Sequence, residues 1–116
     1  MPKTRAELVD EALTRLGALS AGQEPGAEDY AYADGKVEPM LADLAARDIT
    51  YASPSSIPDE AFDHLGAVLA WRCKDYFGVV GDEASTLGQT AQLAERNLQY
   101  LSRGKTTRQR VQADYF

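Results

Sequence analysis

One cysteine, one histidine and a run of carboxylates are the side chains of this 116-residue chain whose types could do chemistry. A thiol beside an imidazole makes a nucleophile and its base, the imidazole taking the thiol proton. His64 and Cys73 stand nine residues apart in one apolar-periodic segment. At about 100° per residue a helix puts them on opposite sides, so the expectation is a surface imidazole and a core thiol, with no dyad in one subunit. Asp59, Glu60 and Asp63 offer the second chemistry, paired carboxylates for acid–base work or for a cation. They follow Pro58 at a helix start, where the positive end of the helix dipole accounts for them. One thiol and one imidazole fall short of a structural zinc site, and a single cysteine forms no internal disulfide. No Gly-x-Ser-x-Gly elbow, Gly-x-x-x-x-Gly-Lys cradle or Gly-x-Gly-x-x-Gly turn occurs. The expectation is a chain with no catalytic site, no metal and no cofactor.

The elements that position these groups read as helices. Thr4-Arg5-Ala6-Glu7 fits a capping box, and Leu8, Ala12, Leu13 and Leu16 then recur at helical spacing up to Gly17, predicting a helix over about 5–16. Tyr30, Ala33, Val37, Met40, Leu41 and Leu44 predict a second over about 27–46, which Pro39 kinks or splits. Ile49-Thr50-Tyr51 reads as an extended connector, since no second strand run exists to pair with it. Phe62, Leu65, Leu69, Cys73 and Tyr76 form the stripe of a third helix over about 59–77. Val68 and Trp71 widen that stripe beyond what one neighbouring helix covers, so both are candidates for a subunit interface. Leu87, Ala91, Ala94, Leu98 and Leu101 give a narrow seam for a fourth helix over about 83–103, ended by Gly104. The fold class expected is all-α, a small bundle of about four helices around Leu13, Leu16, Leu41, Leu44, Leu65, Leu69, Leu98 and Leu101. Residues 105–116 show no helical stripe and read as a flexible tail.

Length allows one ordinary domain, and a composition of 44% hydrophobic and 26% charged residues is that of a globular chain. The longest uncharged apolar run, Leu65 to Trp71, is far below the roughly 18 residues a membrane span needs. The first residues lack an apolar signal core, so the expectation is a protein that stays where it is made. The net charge of −6 is unevenly spread. Residues 1–58 carry five basic and ten acidic side chains, residues 59–104 four and seven, and residues 105–116 three and one. An acidic body disfavours free binding to duplex DNA. In the basic tail, Lys105, Arg108, Arg110, Tyr115 and Phe116 combine charge with anchoring aromatics.

Taken in order, these features resemble the head-to-tail adaptor proteins of tailed bacteriophages, also called head-completion or packaged-DNA-stabilisation proteins. The resemblance covers about residues 3–104. It rests on the capped opening from Lys3 to Leu16-Gly17, on the acidic second helix ending Met40-Leu41-Ala42-Asp43-Leu44, and on Ser56-Ile57-Pro58-Asp59-Glu60-Ala61-Phe62 leading into the third. The resemblance implies a structural virion protein of the neck, made in the host cytoplasm, whose copies form a ring of about twelve below the portal. It implies a ring-forming body over 1–104 and a portal-docking arm over 105–116, with Lys105, Arg108, Arg110, Tyr115 and Phe116 as the docking residues. It further implies a downstream stopper, nozzle or tail protein as partner, and packaged DNA that passes through the channel without sequence-specific binding. An acidic wall suits DNA that must slide, and a ring needs heterologous contacts. The competing reading, a small helical DNA-binding regulator, requires a basic recognition helix, and none of the four expected helices has a basic excess. A small catalytic bundle requires side chains that converge.

Overall fold

Thr4 opens the first helix as its spacing predicts. Its backbone is extended (φ −94°, ψ 163°), its hydroxyl accepts from the Glu7 amide at 3.2 Å, and the Glu7 carboxylate accepts from the Thr4 amide at 3.4 Å. Removing the cap in Thr4→Ala is expected to lower stability by about 1 kcal/mol, measured by urea unfolding. The computed structural model describes residues 3–17, 26–50 and 52–115, with side chains as far as Ser102. Four helices follow in chain order: α1 (Arg5–Arg15), α2 (Ala27–Ala46), α3 (Asp59–Cys73) and α4 (Gly81–Tyr115). Among the described residues there is no strand. Among those residues two isolated antiparallel bridges form, one of which joins Lys3 to Ile57 and anchors the loop before α3. Ile57 is fully buried there. No helix among the described residues is long and apolar enough to cross a membrane.

Helix α3 organises the packing. Six consecutive residues, Leu65 to Ala70, are buried, because α1 and α2 pack on each other and on α3 while α4 packs on α3 alone. This placement corrects the expectation for Val68. It is 1% exposed and belongs to the protomer's own core, since the width of the α3 stripe is used by three neighbours within one chain. Gly66 sets the distance between α1 and α3. A β-carbon there would stand 2.6 Å from Cγ of Glu11.

Two helix ends differ from those the periodicity predicts, while α2 keeps its expected bounds of 27–46. Helix α3 stops at Cys73, and a turn closed by the Val79 amide on the Lys74 carbonyl (3.1 Å) and by Gly78 at φ 70° brings Tyr76 and Phe77 back towards α2. Tyr76 stacks on Tyr32 with centroids 4.1 Å apart, and Phe77 meets both rings edge-on, contacts that end the helix four residues early. Helix α2 runs through Pro39 as one element. Gly35 and Pro39 are both exposed, so the carbonyl that loses its donor lies where water reaches it. Helix α4 does not end at Gly104 but continues to Tyr115. One interior glycine costs about 1 kcal/mol relative to alanine, and with Ser102, Thr106 and Thr107 beside it this end of α4 has weak helix propensity of its own.

Of the eight leucines expected in the core, Leu13, Leu41, Leu44, Leu65, Leu69 and Leu98 are buried and Leu16 is partly buried. Leu101 is not, at 37% exposed. At about 1.5 Å per residue the 15 residues of α3 cover roughly 22 Å and the 35 of α4 roughly 52 Å, so α4 outruns its only helical support. Ion pairs tie the helices at the surface. Arg5 holds Asp34 at 2.6 Å and Glu38 at 3.0 Å across α1 and α2. Asp43 of α2 accepts from Arg47 at 2.8 Å and from Arg72 of α3, and Arg47 continues to Glu95 of α4 at 3.0 Å. The two guanidiniums, Arg47 first, hold the Asp43 carboxyl below the usual carboxylate range.

Candidate functional site

The thiol and the imidazole do not meet. Both sit on the unbroken α3, half a turn out of phase, with His64 half-buried and Cys73 fully buried. Burial pushes the Cys73 thiol up to about 11, only partly opposed by the charge of Lys36. The thiol is thus protonated at neutral pH. The proton held more tightly in the folded chain gives a stability that is complete below the unfolded thiol's value of 9.0 and lost as pH rises through about 11. Wild type is expected to lose up to about 3 kcal/mol more than Cys73→Ala between those limits, measured by paired urea titrations. Asp59 and Glu60 occupy the first turn of α3, and Asp63 the next, as the dipole argument requires. Among the described residues no three His, Cys, Asp or Glu side chains assemble as a metal site.

What the fold does present is an uncovered surface along α4. Trp71 leans from α3 onto Gly88, where a β-carbon would meet its ring at 3.0 and 3.1 Å and push the indole a few tenths of an ångström off the helix. The Lys74 ammonium sits 4.5 Å from the centre of the same ring. Beside it a groove of about 470 Å³ runs between α3 and α4, lined by Trp71, Ala84, Ser85, Gly88, Gln92 and Glu95 among others. Trp71 is 37% exposed, which keeps it available as an interface residue, unlike Val68. Farther along, Leu93 is 56% and Tyr100 80% exposed. Neither is on the inner seam by which α4 was recognised. A second wheel reading, with steps of four, three and four through Gln89, Leu93, Arg96 and Tyr100, is the signal that finds them.

The docking residues expected from the tail fall at the far end of the same helix. Lys105, Arg108, Arg110 and Tyr115 lie on the helical backbone beyond Gly104, where side chains are outside the described residues, and Phe116 lies outside them altogether. The continuation of α4 changes the charge reading of the helices. Residues 81–98, up to the last buried contact, carry three acidic side chains and one basic, whereas residues 99–115 carry four basic and one acidic. One helix is therefore acidic where it rests on the body and basic where it leaves it. Comparison with family models, with curated proteins and with solved structures returns no match.

Proposed function

We propose that this protein is a head-to-tail adaptor of a tailed-bacteriophage particle, a structural virion protein of the neck. Its copies form a ring below the portal, extend the DNA channel and help retain packaged DNA. The observation that carries the reading is the division of length and charge within α4, which leaves a helical body with a net acidic surface and takes four basic residues, Arg103, Lys105, Arg108 and Arg110, beyond its last buried contact at Leu98. In this reading Lys105, Arg108 and Arg110 pair with portal carboxylates, and Tyr115 and Phe116 fill apolar pockets at the end of the contact. Trp71 belongs to the contact between identical subunits. The acidic body lets DNA slide past, and the other end of the ring receives a stopper, nozzle or tail protein.

Co-elution with the cognate portal ring in size-exclusion chromatography tests the reading. The adaptor is expected to travel with the portal at low salt and to be released as salt shortens the reach of its charges. Failure to co-elute at any salt concentration contradicts it. A second reading, the small helical DNA-binding regulator, is favoured by one observation, the basic half of α4, which supplies the charged helix that the expected helices lacked. Anisotropy of labelled duplex DNA separates the two. A regulator binds with a steep salt dependence, and an adaptor leaves the duplex free at physiological salt.

A further inference from the structure

A hollow of about 430 Å³ lies at the corner where α1 ends and α4 begins. Leu16, Val79 and Leu87 are the apolar part of its lining, and the carboxylates of Asp82 and Glu83 are the exposed part. The negative end of α1 and the positive end of α4 meet there, so the two dipoles offset each other and the side chains set the sign. Neither carboxylate has an ion-pair partner among the described residues, whereas the one cation of the lining, Arg15, is held by Glu11 at 2.9 Å. Residues 18–25, which follow α1 in the chain, include no basic residue. The hollow suits a cation joined to something apolar.

The far end of α4 is such a group. Because the helix continues past Gly104, positions 108, 111 and 115 fall on one face of it at steps of three and four, and they hold Arg108, Val111 and Tyr115. An arginine in line with two apolar residues is the pattern of a helix that docks in a hollow. This end cannot reach the hollow of its own chain, since residues 83 and 108 lie on one unbroken helix, roughly 38 Å apart at about 1.5 Å per residue. We infer that the basic end of α4 from one copy seats in the α1–α4 hollow of another, with Arg108 paired to Glu83 and with Val111 and Tyr115 over the apolar lining. Every copy then offers a hollow and a plug at opposite ends of the same helix, so both are filled only in a closed assembly of two or more chains. A contact limited to two helical turns is weak, which sets the concentrations at which it is seen. In the proposed adaptor the same end serves the portal, so portal and second copy compete for it. The inference goes beyond that reading and does not depend on it.

Sedimentation velocity of the purified full-length chain, from about 10 μM to 1 mM at low salt, tests it. Wild type is expected to shift to larger species with concentration and to lose the shift as salt is raised. Glu83→Lys changes an exposed side chain and Arg108→Glu a position beyond the last buried contact, so both chains are expected to melt near the wild-type temperature. Each change weakens self-association at least about tenfold. Mixed together, the two variants associate again, because one keeps its basic end and the other its hollow. A wild type that stays monomeric at the highest concentration overturns the inference, as does either variant self-associating like wild type or a mixture that stays monomeric. Loss of portal binding by Arg108→Glu with self-association intact also overturns it, by giving the basic end to the portal alone. Wild-type self-association that both variants weaken, in a chain that never co-elutes with the portal, leaves this inference standing and removes the adaptor reading.

Discussion

Replacing Leu69 with alanine lowers the unfolding free energy by about 2–5 kcal/mol, the largest change in stability expected of a single substitution in the body. Leu69 is fully buried within the run where α3 is enclosed by three helices, so the deleted carbons leave a void that no single neighbour can close without opening another contact. Leu98 is the corresponding residue of α4 at 1% exposed, and Leu98→Ala is expected in the same range. Leu101, one turn farther along but past the end of α3, is the internal control. At 37% exposed its truncation is expected to cost less than about 1 kcal/mol. Urea melts of the three variants check the ordering. Equal costs at Leu98 and Leu101 would place the end of the packed interface elsewhere.

On the adaptor proposal, deleting residues 105–116 is expected to abolish co-assembly with the portal while changing stability by no more than about 0.5 kcal/mol. The structural half of this expectation follows from the packing. The last buried residue described on α4 is Leu98, and α3 is the only helix against which α4 rests, so all of the described core precedes the cut. The functional half follows from the proposal, since the deletion removes Lys105, Arg108, Arg110, Tyr115 and Phe116 at once. A charged helix end of this length is marginal on its own in water, and on the proposal it gains its order from the portal surface. Thermal melts and portal co-sedimentation separate the two halves. A truncated chain that unfolds, or one that still docks with wild-type affinity, contradicts the docking-arm reading.

Local signals were legible in the sequence and long-range ones were not. The Thr4–Glu7 box is written in four adjacent residues and forms as written, and the inner seams of α1, α2 and α4 follow from side-chain spacing alone. Opposed placement of His64 and Cys73 was legible for the same reason, because it needs only an intact helix. The end of α3 was not, since Tyr76 leaves the helix to stack on Tyr32, forty-four residues earlier in the chain. Val68 was misplaced because stripe width reports how much surface is covered and not which chain covers it. Gly104 carried a stop signal at which α4 does not end, and the propensity of Ser102, Thr106 and Thr107 beside it offers no local account of the continuation. Leu93 and Tyr100 were overlooked because the stronger inner seam explains α4 by itself, and a second line becomes visible only once the first is assigned to the body.

Direct imaging of the protein mixed with the portal that the proposal assigns to it tests the central claim. Portal rings mixed with a saturating excess of the full-length chain are to be examined by negative-stain microscopy and compared with portal alone. The account predicts an added ring of density, coaxial with the channel, on the face of the portal that points away from the head. Portal particles that look the same with and without the protein, at a concentration where the chain is folded and in excess, would contradict it.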